Sequence, residues 1–336
     1  MKAWQILERG TLDGLSPVEL PEPKPGYGEV LVRMRAVSVN WRDLLATRIE
    51  RPGNLTPLTP CSDGAGEIVE VGKGVTQWKV GDAVISCFFQ GWEAGRITRA
   101  VMRTDLGGPL HGVLAEYVVL KAGGIVALPE HMNFEQGATL PCAALTAWSA
   151  LVEHGRIVAG ETVLLLGTGG VSMFALQIAK MHGARVIITS SSDTKLARAK
   201  ELGADERINR KTMPDWQVRV YELTNSVGAD QVVEVGGAGT LQRSLDAVRH
   251  GGIIHLIGVL SGFDGTVNPW PFIAKSVSLH GIYVGSREMF ERMNRAFVQQ
   301  RILPVVDRVF DFDQSRDAFA FMESKRHVGK IVIRVS

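Results

Sequence analysis

The sequence predicts an α/β fold: a doubly wound parallel sheet in the second half, preceded by a mainly-β region. Three observations point there. Short apolar runs alternate with helically spaced ones from about residue 130, a glycine turn separates one such run from the helix after it, and period-two alternation marks the first third. At 336 residues the chain exceeds one ordinary core and implies about two domains.

In the first third, Glu29 to Val37 alternates as a half-buried strand should, and Glu67 to Gly72 and Asp82 to Ser86 read similarly. Gly72-Lys73-Gly74 supplies a turn between them, Pro21, Pro23 and Pro25 make an extended lead-in, and the polar stretch from Gly91 to Pro109 reads as a long loop. The texture then changes. Thr162 to Leu166 is a continuous apolar run, as expected of a parallel strand buried on both faces. Val171 to His182 is helical, Arg185 to Thr189 is the next strand, and Asp193 to Leu202 is a helix with Asp193 as N-cap and Gly203 just past its end. Strands at Gln231 to Val235 and Gly252 to Ile257 flank a helix from Leu241 to Arg249. A last strand of this region, Ser276 to Val284, precedes a helix from Arg287 to Gln300, and Lys330 to Val335 closes the chain as a strand.

Composition narrows the function. Lys and Arg total 37 against 35 Asp and Glu, a net charge of +2, so no strong field calls for nucleic acid or a membrane surface. Hydrophobic residues at 45% and charged ones at 21% exclude wholesale disorder. Cys61, Cys87 and Cys142 are odd in number and widely spaced, which gives neither a disulfide framework nor a metal knuckle. No signal-peptide pattern and no apolar run of about 18 residues occurs, so the expectation is a soluble, cytoplasmic protein.

Gly167-Thr168-Gly169-Gly170-Val171-Ser172 lies between an apolar strand and a helix, the context a dinucleotide fingerprint requires. Gly167 permits the tight turn and Gly169 lets backbone approach a pyrophosphate. The helix beginning near Gly170 and Val171 turns unpaired N–H groups toward the phosphates. Ser172 stands where the full pattern has a third glycine, and the bland alternative is a sharp turn with no ligand. About 20 residues on, where a carboxylate would hold a ribose 2′-hydroxyl, the chain reads Thr189-Ser190-Ser191-Ser192-Asp193-Thr194-Lys195. Ser190 and Ser191 can donate to a 2′-phosphate and Lys195 brings positive charge, with Arg210 on the same side, which favours NADP(H) over NAD(H). Against this, the serines can simply cap the next helix, and a small register shift would put Asp193 on the ribose.

These features resemble the medium-chain dehydrogenase/reductase superfamily over essentially the whole chain. The resemblance rests on Pro21 to Val32, Val39-Asn40-Trp41-Arg42-Asp43, Asp63 to Val69, Lys79 to Asp82, Leu140 to Ala147 and Gly167 to Ser172. It implies a GroES-like catalytic domain split into about 1–125 and 286–336, around a Rossmann cofactor domain of about 126–285. The positions matching the catalytic zinc ligands of the alcohol dehydrogenases hold Asn40, Ser62 and Cys142, and the four-cysteine structural zinc lobe has no counterpart, so no metal is expected. The resemblance shifts accordingly to the zinc-free quinone oxidoreductase branch, where hydride passes from nicotinamide to a small electrophilic acceptor, a quinone or α,β-unsaturated carbonyl.

By the same resemblance, Asn40 and Asp43 are expected nearest the nicotinamide, Asn40 donating to a carbonyl or enolate oxygen and Asp43 orienting its neighbours or accepting from a ribose hydroxyl; both equally suit a structural role. Thr146 and Ile257-Gly258-Val259 match positions that touch nicotinamide, and Lys330 a basic position near the pyrophosphate, with a solvated surface lysine as the alternative. The tyrosine that enoyl reductases carry shortly after Asn-x-x-Asp is missing between Asp43 and Cys61. Trp41, Phe88, Phe89 and Trp92 suit either a flat aromatic substrate pocket or core packing. Other readings are an alcohol or aldehyde oxidoreductase using His111, His131 or His154 as acid–base groups, and a non-catalytic NADPH-binding protein. The strand Ser276 to Val284 is expected at a sheet edge, pairing with a second copy in a homodimer.

Overall fold

A computed structural model describes residues 1–50 and 53–335. The chain forms two compact units, Met1–Leu145 with Gly285–Ser336, and Thr146–Val284.

Thr146–Val284 is an open, all-parallel sheet of six strands: β1 (Thr162–Leu166), β2 (Arg185–Ser190), β3 (Glu206–Asn209), β4 (Ala229–Glu234), β5 (Val248–Leu256) and β6 (Ser278–Gly281), in the order β3-β2-β1-β4-β5-β6. Val163, Leu164 and Leu165 are fully buried, which is why β1 reads as an uninterrupted apolar run. Helix α1 (Gly170–Met181) buries Met173, Phe174, Ala175, Leu176 and Ile178 around most of its circumference. The order reverses between β1 and β4, and in such sheets the crevice for a ligand opens beyond the strand ends at that reversal. The glycine turn leaves β1 at that end.

Two expectations shift here. The helix Asp193–Glu201 is capped by Ser192, whose hydroxyl accepts from the Lys195 N–H, while Asp193 is its first residue and its carboxylate accepts from Asn209 Nδ2 at 2.8 Å. The sheet-edge strand is shorter than Ser276 to Val284, because Ser276 (φ 51) and Val284 (φ 59) both sit in the left-handed region and break the extended backbone on either side.

The other unit is built on a mainly antiparallel seven-stranded sheet. Its central strand Glu29–Val39 pairs on one side with Lys330–Arg334 and on the other with Asp63–Val71, and Tyr117–Lys121 also pairs with it. Register does the positioning. Ile331 lies opposite Val39 and Asp63 lies opposite Ser38, so Lys330, Asn40 and Asp63 arrive together at one end of the sheet although they are far apart in sequence. The helix Trp41–Arg48 starts there. Ile125–Ala127 pairs with Ala83–Ser86, and this pairing carries the chain through Leu145 into this unit. The compact units meet at 145/146 and 284/285, where the sequence reading has 125/126 and 285/286.

Truncating the centre of β1 tests the packing argument. Leu164→Ala is expected to lower the unfolding free energy by about 2–5 kcal/mol, read as a lower urea midpoint with unchanged slope. A midpoint within error of the wild type would mean that this strand is not buried on both faces.

Candidate functional site

The polar residues at the end of the Glu29–Val39 sheet form a closed, water-poor cluster. Asn40, Ser62, Asp63 and Lys330 are each less than a tenth exposed. The Lys330 ammonium donates to Asn40 Oδ1 and, at 3.2 Å, to the Val39 carbonyl, and lies 3.6 Å from Asp63 Oδ2. Asp63 is saturated from other directions: Ser62 Oγ donates to Oδ1 at 2.7 Å and the Cys142 backbone N–H to Oδ2 at 3.1 Å. A buried charge survives only when paired and hydrogen-bonded, and here both members are. Lys330 is thus held within its own unit, not as a solvated surface lysine.

Asn40 is fixed from two sides. It precedes the helix Trp41–Arg48, and its backbone N–H donates to Asp43 Oδ2 at 2.8 Å. Asp43 is fully buried, and burial pushes its carboxyl up to about 6; Arg42 opposes that rise, Asp63 adds to it, and the Asn40 N–H and Lys330 oppose it. The Arg42 guanidinium reaches Asp43 Oδ1 at 3.2 Å, Asp105 Oδ2 at 2.7 Å and the Leu106 carbonyl at 2.6 Å, with its face over the Phe88 ring. It therefore ties the Gly91 to Pro109 loop to the start of the helix. Asp43 thus holds the Asn40 backbone, while Asn40 Nδ2 is buried without a hydrogen-bond partner among the described residues. Burial also pushes the Cys61 and Cys142 thiols well above their usual range, so neither is a ready thiolate.

The aromatic residues pack. Phe88, Phe89 and Trp92 are buried edge to face, with ring centroids 4.8 Å and 5.7 Å apart along the run, and Trp92 Nε1 donates to the Gly95 carbonyl. Trp41 lies against the core of this unit under the Lys325 ammonium. The histidines are dispersed: His111 Nδ1 accepts from the Thr59 N–H, His131 Nε2 meets the Ile302 carbonyl, and His154 packs on His280.

In Thr146–Val284 the glycine turn has the form its sequence implies. Gly167 takes φ +75, and a Cβ on Gly167 or Gly169 would meet no protein atom within 4 Å, so packing does not demand these glycines. Ser172 Oγ donates to the Leu166 carbonyl at 2.8 Å and binds the first turn of α1 back to the end of β1, which accounts for a serine in the third-glycine position. A pyridine nucleotide fits this turn: the bare backbone accommodates a pyrophosphate and the twelve-residue helix α1 presents its N-terminus. Ser190 is buried at the end of β2 with its carbonyl accepting from the Arg210 N–H, Ser191 and Lys195 are half-buried, and Arg210 is exposed. Thr146 is buried.

Sequence reasoning missed Glu234. It is fully buried at the end of β4, and its carboxylate accepts from the Gly236 and Gly237 N–H groups at 2.7 and 3.0 Å and from the hydroxyls of Thr240 and Ser244. It shapes the turn after β4, onto which Ile257-Gly258-Val259 folds; a Cβ on Gly258 would come within 2.3 Å of the Val235 carbonyl oxygen. A carboxylate within an apolar run, two residues before Gly236-Gly237, was the available signal.

The fold and these sites define a class of protein. Residues 26–130 match the alcohol dehydrogenase GroES-like domain, and residues 170–299 match the zinc-binding dehydrogenase domain. A zinc-type alcohol dehydrogenase-like protein of Schizosaccharomyces pombe is 42% identical over 96% of each chain. A Sinorhizobium meliloti structure provisionally assigned as an alcohol dehydrogenase superposes with TM-score 0.91 at 44% identity, over all of both chains. An NAD-dependent alcohol dehydrogenase does so with TM-score 0.92 at 34% identity, again over all of both. More distant likenesses, each 27% identical, are a Pseudomonas syringae quinone oxidoreductase (TM-score 0.85, 99% of both chains) and a mycobacterial protein complexed with NADPH (TM-score 0.86, all of both). The chain belongs to the alcohol dehydrogenase-like medium-chain dehydrogenase/reductase family. It is an NAD(P)-dependent oxidoreductase.

Asp43 gives this unit a pH signature. Because the fold raises its pKa, the native state binds its proton more tightly than the unfolded chain, and the stability this confers is full below about pH 4 and lost as pH rises toward about 6. Wild type is expected to lose on the order of 2 kcal/mol relative to Asp43→Asn between pH 4.5 and 7.5, by urea unfolding at the two pH values. Parallel profiles for the two proteins would contradict the assignment.

Proposed function

We propose that the protein is an NADPH-dependent reductase that transfers hydride to a quinone or an α,β-unsaturated carbonyl without a metal. The observation that carries this reading is the Lys330 ammonium amid the residues matching the family's zinc positions. Asn40 Oδ1 is taken by Lys330, Ser62 Oγ donates to Asp63, and Cys142 carries the one thiol of the three positions. No group of three or more His, Cys, Asp or Glu suited to a metal occurs among the described residues. Such a donor set does not fit zinc, which is bound by thiolate, imidazole or carboxylate. Without a Lewis acid an alcohol's hydroxyl is hard to deprotonate, whereas a conjugated carbonyl is already electrophilic and needs only hydrogen-bond donors at its oxygen.

NADPH, when bound, supplies the hydride. The chain's own work is placement: the Gly167–Ser172 turn and the start of α1 hold the pyrophosphate, and Asn40 Nδ2 donates to the acceptor's oxygen as negative charge develops there. Lys195, with Ser190 and Ser191, supports a 2′-phosphate, and the Asp193 carboxylate, the chief argument for NADH, is engaged by Asn209. A zinc-free alcohol or aldehyde oxidoreductase is the second reading, favoured by the names of the most similar relatives. No described helix is long and apolar enough to cross a membrane, and we place the protein in the cytoplasm. Two copies pair along β6, whose Leu279 is exposed, as are Trp270 and Ile273 on the segment preceding it.

Following NADPH absorbance against quinones, enones and aldehydes tests the reading. Turnover of quinones or enones is expected; turnover of aldehydes alone favours the second reading, and none at all leaves a nucleotide-binding protein without catalysis. Lys195→Ala is expected to raise the KM for NADPH about tenfold, equivalent to about 1.4 kcal/mol, and leave that for NADH unchanged. An equal rise for both nucleotides would remove the 2′-phosphate contact.

A further inference from the structure

We propose that Lys330 is a positioning residue that locks the side-chain amide of Asn40 so that its N–H groups, and not its oxygen, are offered to the acceptor. This rests on the reading of the protein as a carbonyl-accepting reductase and names the group that makes it selective for an oxygen acceptor.

An asparagine amide is nearly symmetric in shape, and its two orientations present opposite chemistry: two donors one way, two lone pairs the other. At Asn40 the choice is made by its neighbour. A lysine ammonium has hydrogens to give and no lone pair, so the amide atom facing Lys330 Nζ is Oδ1. The ammonium cannot turn away, because the Val39 carbonyl holds a second hydrogen and Asp63 Oδ2 lies 3.6 Å off. Asp63 in turn is held by Ser62 and by the Cys142 N–H. The backbone of Asn40 is fixed independently by Asp43. What remains is Nδ2, buried and unpartnered among the described residues, on a residue 8% exposed. Unpaired buried donors are rare and ask for an acceptor. The cation on Oδ1 also polarises the amide and strengthens those donors. A carbonyl oxygen gaining negative charge as hydride arrives at the conjugated carbon is the acceptor that benefits most. If the amide flipped, Oδ1 would face that oxygen and repel it.

The test measures enone affinity for the protein loaded with NADP+, which has no hydride to give, alongside kcat with NADPH. Asn40→Asp at pH 8 keeps the ionic contact with Lys330 but has no N–H; it is expected to weaken enone binding at least about tenfold and kcat about 10²–10³-fold. Lys330→Met is expected to act in the same direction, because without the ammonium nothing holds Oδ1 away from the acceptor. Lys330→Arg, another pure donor, is expected to restore most of the loss. Because Lys330→Met strands the Asp63 charge, Lys330→Met with Asp63→Asn serves as the neutral counterpart if the single variant fails to fold. NADPH affinity by fluorescence titration is expected to stay within about twofold throughout. Unchanged enone affinity in Asn40→Asp overturns the proposal, as does a Lys330→Met variant that loses NADPH affinity while keeping enone affinity, which would assign Lys330 to the pyrophosphate. Wild type that binds enone but never oxidises NADPH defeats the reductase reading alone, since the binding comparison does not depend on turnover.

Discussion

The contact of the Lys330 ammonium with Asn40 and Asp63 is the one on which the GroES-like unit depends. Burying a cation and a carboxylate together costs several kcal/mol per ion before their attraction is counted, and removing one partner of such a pair costs about 3–5 kcal/mol. The pair persists because each remaining hydrogen-bonding position is filled: Val39 and Asn40 on the lysine, Ser62 and the Cys142 N–H on the aspartate. Its consequences run outward. Asn40 begins the Trp41–Arg48 helix, Asp43 in that helix returns to the Asn40 N–H, and Arg42 extends the network to Asp105 and the loop carrying it.

Thr146–Val284 obeys a simpler constraint. Its inner strands are largely buried, and apart from the buried contact between Gln231 and His255 its polar devices gather at the strand ends, where β1 and β4 part. One end carries the glycine turn secured by Ser172; the neighbouring strand carries Glu234, whose carboxylate gathers two backbone N–H groups and two hydroxyls. Both devices fix backbone, so this end of the sheet presents preorganised peptide groups more than long side chains.

This difference explains what could be read in the sequence. The parallel sheet was legible because double burial writes itself as runs such as Thr162 to Leu166, and the turn because Gly167 takes a positive φ that favours glycine. The Asn40–Asp63–Lys330 cluster was not. Lys330 opens a strand at the far end of the chain and looks like any exposed lysine, and only the pairing of Ile331 with Val39 and Asp63 with Ser38 shows that the three share one sheet end. Glu234 was overlooked since its partners are backbone groups and small hydroxyls, which carry no charge pattern. The edge strand was read too long because Ser276 and Val284 are ordinary strand residues in an unusual backbone conformation. The first junction reads earlier in the sequence because residues after Ala127 are helical and apolar, like the unit they precede.

Anomalous diffraction at the zinc edge, from crystals grown with zinc and NADPH, addresses the central claim most directly. The account predicts no peak among Asn40, Ser62 and Cys142, with density for Lys330 Nζ between Asn40 and Asp63. A full-occupancy peak ligated by those three residues, with Lys330 turned out of the cluster, would contradict it and return the protein to metal-assisted alcohol chemistry.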